Sequence, residues 1–272
     1  MKLKNYLIAV DLDDTIVANF NEKDQKSFDK LKELAKDNII VIATGRPNRS
    51  SIDYYNDLQL ASPLINYNGA WVHNPKDPTY PVTMISMPKE YIFAFYNDNK
   101  EYIYNLFSEV GDHIYLDSYR EEIKPFLHLD GGKLHVGKLD EILTEDPAGA
   151  IFFANLEYKE HLEKYVKEKF KGNVMIRFWN KGNPLIGEFY NPHITKGIAL
   201  ENIRKYYNID KDKTISFGDG HNDIDMIDFA KYGVAMGNSH DDLTKAAKYH
   251  TGSIKENGVY TFLTKLENSE IE

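Results

Sequence analysis

Short runs of consecutive apolar residues alternate with amphipathic stretches in the N-terminal part of the chain. Residues 6–10 and 39–43 are unbroken apolar runs, and each is followed at once by polar residues or glycine. Such a run is typical of a strand buried on both faces, as in a parallel sheet covered by helices. Residues 27–38 repeat their apolar positions at helical spacing, and a third strand is predicted at 63–66. This order of strands and helices predicts a doubly wound α/β sheet.

The same alternation returns near the C-terminus. After a predicted helix at 198–206, residues 214–217 and 233–236 are predicted to form two further strands. Helices are predicted at 222–230 and at 241–248, the second opened by an acidic residue that suits the helix dipole. We therefore expect these strands to join the N-terminal ones in one sheet.

The middle of the chain follows a different pattern. A strand is predicted at 151–154 and a helix at 158–170, whose apolar residues recur at helical spacing. Two strand-like runs follow at 174–179 and 185–189. This order predicts an α+β domain with its own sheet. The expected architecture is thus a discontinuous α/β core, with a doubly wound and mostly parallel sheet, formed by residues 1–82 and 190–272 and interrupted by an insertion over 83–189.

Composition narrows the class of protein. Of the 272 residues, 42% are hydrophobic and 28% charged, which is ordinary for a globular protein that buries a large core. A net charge of −9 argues against nucleic-acid or acidic-membrane partners, which need a basic face. The absence of cysteine excludes disulfides, thiolate metal sites and cysteine nucleophiles. The apolar run near the N-terminus is too short for a signal peptide or a membrane span, so a cytoplasmic protein is expected.

Two carboxylates stand at the end of the first predicted strand. Asp11 and Asp13 project to the same side if the backbone stays extended, because side chains alternate along a strand. Two such charges repel each other unless a cation or a proton intervenes, and a hard divalent ion such as Mg²⁺ prefers oxygen ligands. The alternative is a turn with a helix cap, which is the commoner meaning of an isolated Asp-x-Asp.

Further polar residues follow other predicted strands or begin helices. Thr44 and Gly45 follow the second strand, Lys196 precedes the helix at 198–206, and Asp219 follows the strand at 214–217. Taken singly, they have plainer explanations as a helix cap, a surface lysine and a loop. As an ordered set they supply a hydroxyl, free backbone N–H groups, a cation and a carboxylate. Phosphoryl transfer needs this kind of positioning and charge neutralisation.

These motifs resemble those of the haloacid dehalogenase superfamily of phosphatases, particularly its Cof-like branch with a large α/β cap. The resemblance spans both outer segments, and the combination of motifs is specific, whereas the sequence of the insertion is not diagnostic. Gly220 and His221 depart from the pattern of many relatives, but the Asp and Asn-Asp positions around them are kept. The matching segments are Asp11–Thr15, Ala43–Arg46, Thr195–Gly197 and Gly218–Asp223, with secondary matches at 68–70 and 233–238.

The resemblance implies a mechanism and roles for these residues. Asp11 is expected to form an aspartyl-phosphate, and Asp13 to protonate the leaving oxygen and then activate water. Asp14 is expected to stay outside the chemistry. The implied cofactor is Mg²⁺, and the expected metal residues are Asp11, Asp13 (through its backbone carbonyl), Asp219 and Asp223, the last of which could instead orient Lys196. The residues expected to bind the phosphoryl group or the substrate are Thr44, Gly45, Arg46, Lys196 and Asn222.

The expected function is hydrolysis of a small phosphorylated metabolite such as a sugar phosphate, a nucleotide or a flavin phosphate, by a monomer or weak homo-oligomer. The cap is expected to supply substrate specificity. Its cations Arg120, Lys124 and Arg177 are candidates for substrate contact, although surface positions are the simpler interpretation of each. A phosphotransferase or phosphomutase using the same intermediate is the alternative. A non-catalytic phosphometabolite-binding regulator is a third interpretation, with a phosphorylation-dependent response regulator weaker still.

Overall fold

The computed structural model describes residues 2–19, 21–180 and 182–271, which divide into two compact units. Unit 1 contains the residues up to Arg46, Ser51–Thr83 and those from Thr195 onwards. Unit 2 contains Pro47–Ser50 and Met84–Ile194. The expected boundaries lay after residues 82 and 189. The second lies later in the structure because a strand of unit 2 runs to Tyr190 and a turn, in which the Ile194 N–H bonds to the Asn191 carbonyl, follows it.

Strands and helices alternate along much of the described chain. The strands are β1 Leu7–Val10, β2 Val17–Ala18, β3 Glu22–Lys23, β4 Ile39–Ile42, β5 Leu64–Asn66, β6 Trp71–His73, β7 Thr83–Met84, β8 Ile103–Val110, β9 His113–Leu116, β10 Lys133–Val136, β11 Gly149–Ala154, β12 Met175–Phe178, β13 Leu185–Tyr190, β14 Thr214–Gly218, β15 Tyr232–Ala235 and β16 Tyr249–His250. The α-helices are α1 Gln25–Leu34, α2 Ile52–Asp57, α3 Lys89–Asp98, α4 Lys124–Leu127, α5 Leu139–Ile142, α6 Lys159–Phe170, α7 Lys196–Tyr206, α8 Ile224–Phe229, α9 Asp241–Ala246 and α10 Gly258–Glu267.

Unit 1 is built on a parallel sheet with the strand order β16-β15-β14-β1-β4. Both faces of β1 are buried, because its alternate side chains enter two different apolar clusters. Ile8 and Val10 pack with residues of α1 and α10, whereas Leu7 and Ala9 pack with residues of α7 and α8. Helices thus cover both faces of the sheet, and the predicted doubly wound α/β core is confirmed.

The predicted helices of unit 1 differ from the observed ones by a few residues at their ends, and two of them show why. The helix expected at 27–38 is α1, whose start is fixed by Asp24, since its carboxylate accepts a bond from the Ser27 N–H. The helix expected at 222–230 begins instead with a 3₁₀ turn at His221–Asp223, and α8 follows it. The Asp223 carboxylate accepts bonds from backbone N–H groups of the loop before the turn, which holds that loop in place.

Unit 2 contains a six-stranded sheet in the order β10-β9-β8-β11-β13-β12. All its neighbouring strands are antiparallel except β9 and β10. One face packs against α3 and α6 through buried aromatic residues such as Phe95, Phe152 and Phe189. The other face carries Phe107, Phe153 and Ile186, which pack with residues around α4. The inserted α+β domain is therefore confirmed, although β8, β9 and β10 were not predicted.

No helix within the described parts of the chain is long and apolar enough to cross a membrane.

Candidate active site

The predicted site lies at the carboxyl ends of β1 and β14, which are neighbours in the parallel sheet. Val10 is paired with Phe217 in this register, so Asp11 and Asp219 leave the sheet side by side. The Asp11 N–H donates to the Phe217 carbonyl at 3.1 Å, which holds the two strand ends together as they leave the sheet. Ligands of open α/β sheets bind in this region, beyond the carboxyl ends of the strands.

A buried lysine joins two of the site's carboxylates. The Nζ atom of Lys196 lies 2.6 Å from Oδ1 of Asp11 and 2.6 Å from Oδ1 of Asp223. Lys196 and Asp223 have no exposed surface, and Asp11 is 5% exposed. Burial alone would lower the pKa of Lys196, but the two carboxylates outweigh it and raise the pKa above its usual value. Lys196 therefore stays charged and fixes the orientation of Asp11.

Asp223 also organises the loop that follows β14. Its second oxygen, Oδ2, accepts bonds from the backbone N–H groups of Asp219 at 3.1 Å and Gly220 at 3.0 Å. Gly218 makes room for this arrangement, because a Cβ atom there would lie 2.5 Å from the Cβ of Asp223. Asp223 thus contacts Lys196 with one oxygen and the loop with the other, which places it well to orient Lys196.

The carboxylates of Asp11, Asp219 and Asp223 form the one cluster of potential metal ligands found among the described residues, with ligand atoms within 4.8 Å of one another. Burial raises the pKa of Asp11 to about 7, although Lys196 opposes the shift. Burial and the charge of Asp11 raise the pKa of Asp219, while the Thr15 hydroxyl donates to its Oδ1 at 2.9 Å. One lysine does not neutralise these three carboxylates, of which Asp11 and Asp223 are buried. An all-oxygen donor set with excess negative charge fits a hard divalent cation such as Mg²⁺.

Asp13 is held apart from this cluster by Arg46. The guanidinium of Arg46 donates from Nε to Oδ2 at 2.9 Å and from Nη2 to Oδ1 at 2.6 Å. Arg46 is buried and also lies over the ring of Tyr54, 5.3 Å from its centroid. A two-bond fork of this kind fixes the plane of a carboxylate as well as its charge. Arg46, expected at the substrate phosphate, is thus placed on the Asp13 side chain.

Thr44 and Gly45 lie where the chain leaves β4. Thr44 is fully buried, and its Oγ1 accepts a bond from the Arg46 N–H at 3.1 Å. Asn68, in a left-handed conformation after β5, donates from its backbone N–H to the Thr44 carbonyl and accepts from the side chain of Asn222 at 2.9 Å. A Cβ on Gly45 would crowd the Asn68 amide at 3.3 Å. The backbone here is closely packed around Asn68.

The structure therefore brings most of the predicted residues together. Thr15 and Asn68 were not singled out from the sequence. The signals for them were the last position of the Asp11–Thr15 motif and the Asn-Gly turn after the third predicted strand. Asp14 contributes its backbone carbonyl, which accepts a bond from the Asn238 side chain at 2.8 Å. It also lies outside the metal-ligand cluster.

The three cations suggested for the inserted domain differ from one another. Arg120 and Lys124 are exposed at the surface and pair loosely with nearby glutamates. Arg177 is largely buried and makes a two-bond fork with Glu188 at 2.8 and 3.0 Å, while its guanidinium lies over the ring of Tyr190. The surface interpretation of Arg177 is therefore wrong.

A parallel α/β core with this acidic strand-end site and an α+β insertion defines a class of phosphoryl-transferring hydrolases. The family of haloacid dehalogenase-like hydrolases matches residues 8–263 of the chain, and the chain belongs to that family. Its Cof-like branch, expected from the motifs, is likewise confirmed. The chain is a phosphatase of this family.

Individual relatives agree with this assignment. The chain is 31% identical to the 5-amino-6-(5-phospho-D-ribitylamino)uracil phosphatase YitU of Bacillus subtilis, over 97% of this chain and 98% of that protein. A haloacid dehalogenase-like hydrolase from Bacteroides thetaiotaomicron has a TM-score of 0.81 at 22% identity, covering 97% of this chain and 100% of its own. The subclass IIB sugar phosphatase BT4131 has a TM-score of 0.79 at 24% identity, covering 97% and 99%. The last two similarities show the fold.

Proposed function

We propose that the protein is a Mg²⁺-dependent phosphomonoester hydrolase that works through an aspartyl-phosphate on Asp11. The observation that carries this proposal is the buried Asp11–Lys196–Asp223 chain beside Asp219, at the carboxyl ends of two adjacent parallel strands. A site that only bound a phosphometabolite would gain little from three clustered carboxylates, since they repel a phosphate. Carboxylates are required, by contrast, if one of them is a nucleophile and the others bind a cation.

Asp11 is the nucleophile in this scheme. Its carboxylate oxygen forms a bond to phosphorus while the bond from phosphorus to the ester oxygen breaks, and Asp13 gives its proton to that oxygen. Asp13 then takes a proton from the water that attacks the aspartyl-phosphate, which releases inorganic phosphate and restores Asp11. The fork from Arg46 holds the Asp13 carboxylate in one orientation, which suits a group that gives a proton to one oxygen and takes a proton from another.

The remaining residues bind and neutralise the transferring group. Lys196, the Thr44 hydroxyl and the Gly45 N–H are proposed to hold the phosphoryl oxygens, with Asn222 as a further contact. Asp11, Asp219 and Asp223 with the backbone carbonyl of Asp13 would hold Mg²⁺, which neutralises phosphate charge when bound. Asp223 serves mainly by orienting Lys196. The core unit is proposed to be catalytic and the inserted unit to select the substrate.

Substrate turnover is expected to require the metal. Phosphate release from p-nitrophenyl phosphate should fall by about 100-fold or more in EDTA and return when Mg²⁺ is added back, because the cation offsets several kcal/mol of charge repulsion. A panel of sugar phosphates, nucleotides and flavin-related phosphates, with 5-amino-6-(5-phospho-D-ribitylamino)uracil included because the Bacillus subtilis relative is named for it, would rank substrates. Full turnover in EDTA would contradict the metal assignment, and an acceptor alcohol that speeds turnover would indicate a phosphotransferase.

Arg46→Lys tests the role of the fork on Asp13. Lysine keeps the charge but loses the two-bond geometry, so kcat/KM is expected to fall by about 10- to 100-fold. This loss is a fraction of the whole rate enhancement that general acid–base catalysis supplies. The matched control is Arg204→Lys, which removes a similar fork to Glu201 on α7, outside the site, and should leave kcat/KM unchanged. Equal effects of the two variants would show that the Arg46 fork has no special role.

A further inference from the structure

The chain forms a left-handed turn directly after β5, within unit 1. Three consecutive residues, Tyr67, Asn68 and Gly69, have positive φ values of 48°, 55° and 109°. The left-handed region is unfavourable for residues other than glycine, and such residues are found there mainly at functional sites. The conformation persists only where the surrounding structure holds it. Neither Tyr67 nor Asn68 has a role in the mechanism proposed above, so the turn calls for a separate explanation.

Two other segments of unit 1 hold this turn in place. On one side, the Asn68 N–H donates to the Thr44 carbonyl at 3.0 Å. On the other side, a Cβ atom on Gly69 would lie 2.5 Å from the carbonyl oxygen of Thr195, the residue before Lys196. Only glycine, which has no Cβ, allows so close an approach of two backbones. The turn therefore packs against the end of β4 and the start of α7, which supply residues of the proposed phosphoryl-binding set.

The Asn68 side chain contacts two members of that set. It is buried, with 6% exposed, and its Oδ1 accepts a bond from Nδ2 of Asn222 at 2.9 Å. A Cβ atom on Gly45 would lie 3.3 Å from the Asn68 amide, so the backbone at Gly45 packs closely against this side chain. The Asn68 amide is thereby confined between Gly45 and Asn222. It has little freedom to move, and it offers Asn222 an acceptor in a fixed position.

The bond to Asn68 determines how the Asn222 side chain is oriented. Asn222 lies in the 3₁₀ turn after β14 and is only partly buried. Its Oδ1 lies against its own loop, since a Cβ atom on Gly220 would be 2.4 Å from it. Its Nδ2 is directed at Asn68, and an amide nitrogen carries two N–H groups. Asn68 takes one of them, which leaves the second to donate to a phosphoryl oxygen.

We infer that Asn68 is a positioning residue for the phosphoryl-binding residue Asn222, and that the left-handed turn 67–69 holds the Asn68 amide in place for this role. The inference rests on the proposed function, which gives Asn222 its contact with the phosphoryl group. Asn68 does not touch the reacting atoms. It fixes the donor end of the Asn222 amide before the phosphoryl group arrives, which removes the entropic cost of ordering that side chain on binding.

The test is a double-mutant cycle read out by orthovanadate, an analogue of the transferring phosphoryl group. The inhibition constant Ki for p-nitrophenyl phosphate hydrolysis is measured at saturating Mg²⁺. Asn222→Ala should raise Ki by at least about 10-fold, as expected for a lost hydrogen bond to a charged group. Asn68→Gly tolerates the left-handed backbone and only releases Asn222, so Ki should rise by about fivefold. In the double variant, Ki should equal that of Asn222→Ala within about twofold, because Asn68 acts only through Asn222.

Asn208→Gly is the matched control. Asn208 also has a left-handed backbone, with a φ of 50°, but it is exposed and lies after the C-terminal end of α7, whereas Lys196 begins that helix. Its Ki for vanadate should equal that of the wild type.

The cycle separates the inference from the proposed function. If Asn68→Gly leaves Ki unchanged, or raises it by the same factor with and without Asn222, the inference is overturned and the proposed function stands. If Asn222→Ala itself leaves Ki unchanged, Asn222 does not bind the phosphoryl group, and the inference is overturned together with that contact. Mg²⁺-dependent turnover by the wild type would still support the hydrolase in either case.

Discussion

Replacing Asp11 by asparagine is expected to lower kcat/KM with Mg²⁺ by at least about 10⁴-fold, since loss of a covalent nucleophile removes the reaction path itself. The amide keeps the size of the side chain and can still accept a hydrogen bond from Lys196, so the site should remain assembled. Steady-state rates with p-nitrophenyl phosphate at saturating Mg²⁺ measure the loss. Acid-quench labelling with a ³²P-labelled substrate should show phosphoprotein in the wild type and none in the variant.

Asp14→Asn is the matched control for this variant. Asp14 has a left-handed backbone with a φ of 53°, a conformation that asparagine tolerates, and its carboxylate lies outside the metal-ligand cluster. Its kcat/KM should stay within about threefold of the wild type, as is usual for substitutions that disturb no buried pair or cap. If Asp11→Asn kept a tenth of the activity, the nucleophile would have to be sought elsewhere.

The same Asp11→Asn variant should be more stable than the wild type when metal is absent. Burial raises the pKa of Asp11 to about 7, so the folded protein holds a proton that the unfolded chain releases near the usual carboxyl pKa of about 4. Stability of the wild type is therefore lost as pH rises between these values, and the loss is complete above pH 7. In EDTA the Tm of Asp11→Asn should exceed that of the wild type at pH 8 but not at pH 4.

The strand-end residues could be predicted because two simple rules combine. An unbroken apolar run marks a strand buried on both faces, and the carboxyl ends of parallel strands share one edge of the sheet. Asp11 directly follows such a run, Asp219 follows the predicted strand at 214–217, and the register of β1 with β14 places the two residues together. Lys196 was predicted because it precedes a predicted helix, so that a cation and a helix N-terminus lie together. Its complete burial could not be deduced from composition, since lysine is rarely buried.

The pairing of side chains could not be predicted from the sequence. Nothing in the pattern around Arg46 tells whether its guanidinium meets a phosphate or the Asp13 carboxylate, because both are anions within reach of the same loop. The ion pair of Arg49 with Glu109 joins residues that are 60 positions apart in sequence. The strand β8 was missed because polar residues such as Asn105 and Ser108 are buried within it and break the expected alternation.

Lys196→Met should have the largest combined effect on activity and stability. Methionine fills much of the same volume but leaves Asp11 and Asp223 without their shared cation, and removing one partner of a buried ion pair costs about 3–5 kcal/mol. Loss of a cation aimed at the phosphoryl group should lower kcat/KM by about 10³-fold as well, by analogy with an oxyanion-hole donor. Thermal unfolding and steady-state kinetics measure the two losses separately.

The pH and metal dependence of Lys196→Met would identify uncompensated carboxylates as the cause. Without the lysine, which opposes the effect of burial, the pKa of Asp11 should rise further in the folded state, so the protein is destabilised increasingly as pH rises through that range. The deficit in Tm relative to the wild type should therefore be larger at pH 8 than at pH 5, and Mg²⁺ should narrow it. Lys30→Met, which removes a peripheral lysine paired with Glu267, should show neither dependence and keep full activity. If the Tm deficit of Lys196→Met depended on neither pH nor Mg²⁺, its cause would be lost packing, because a lost methylene contact does not titrate.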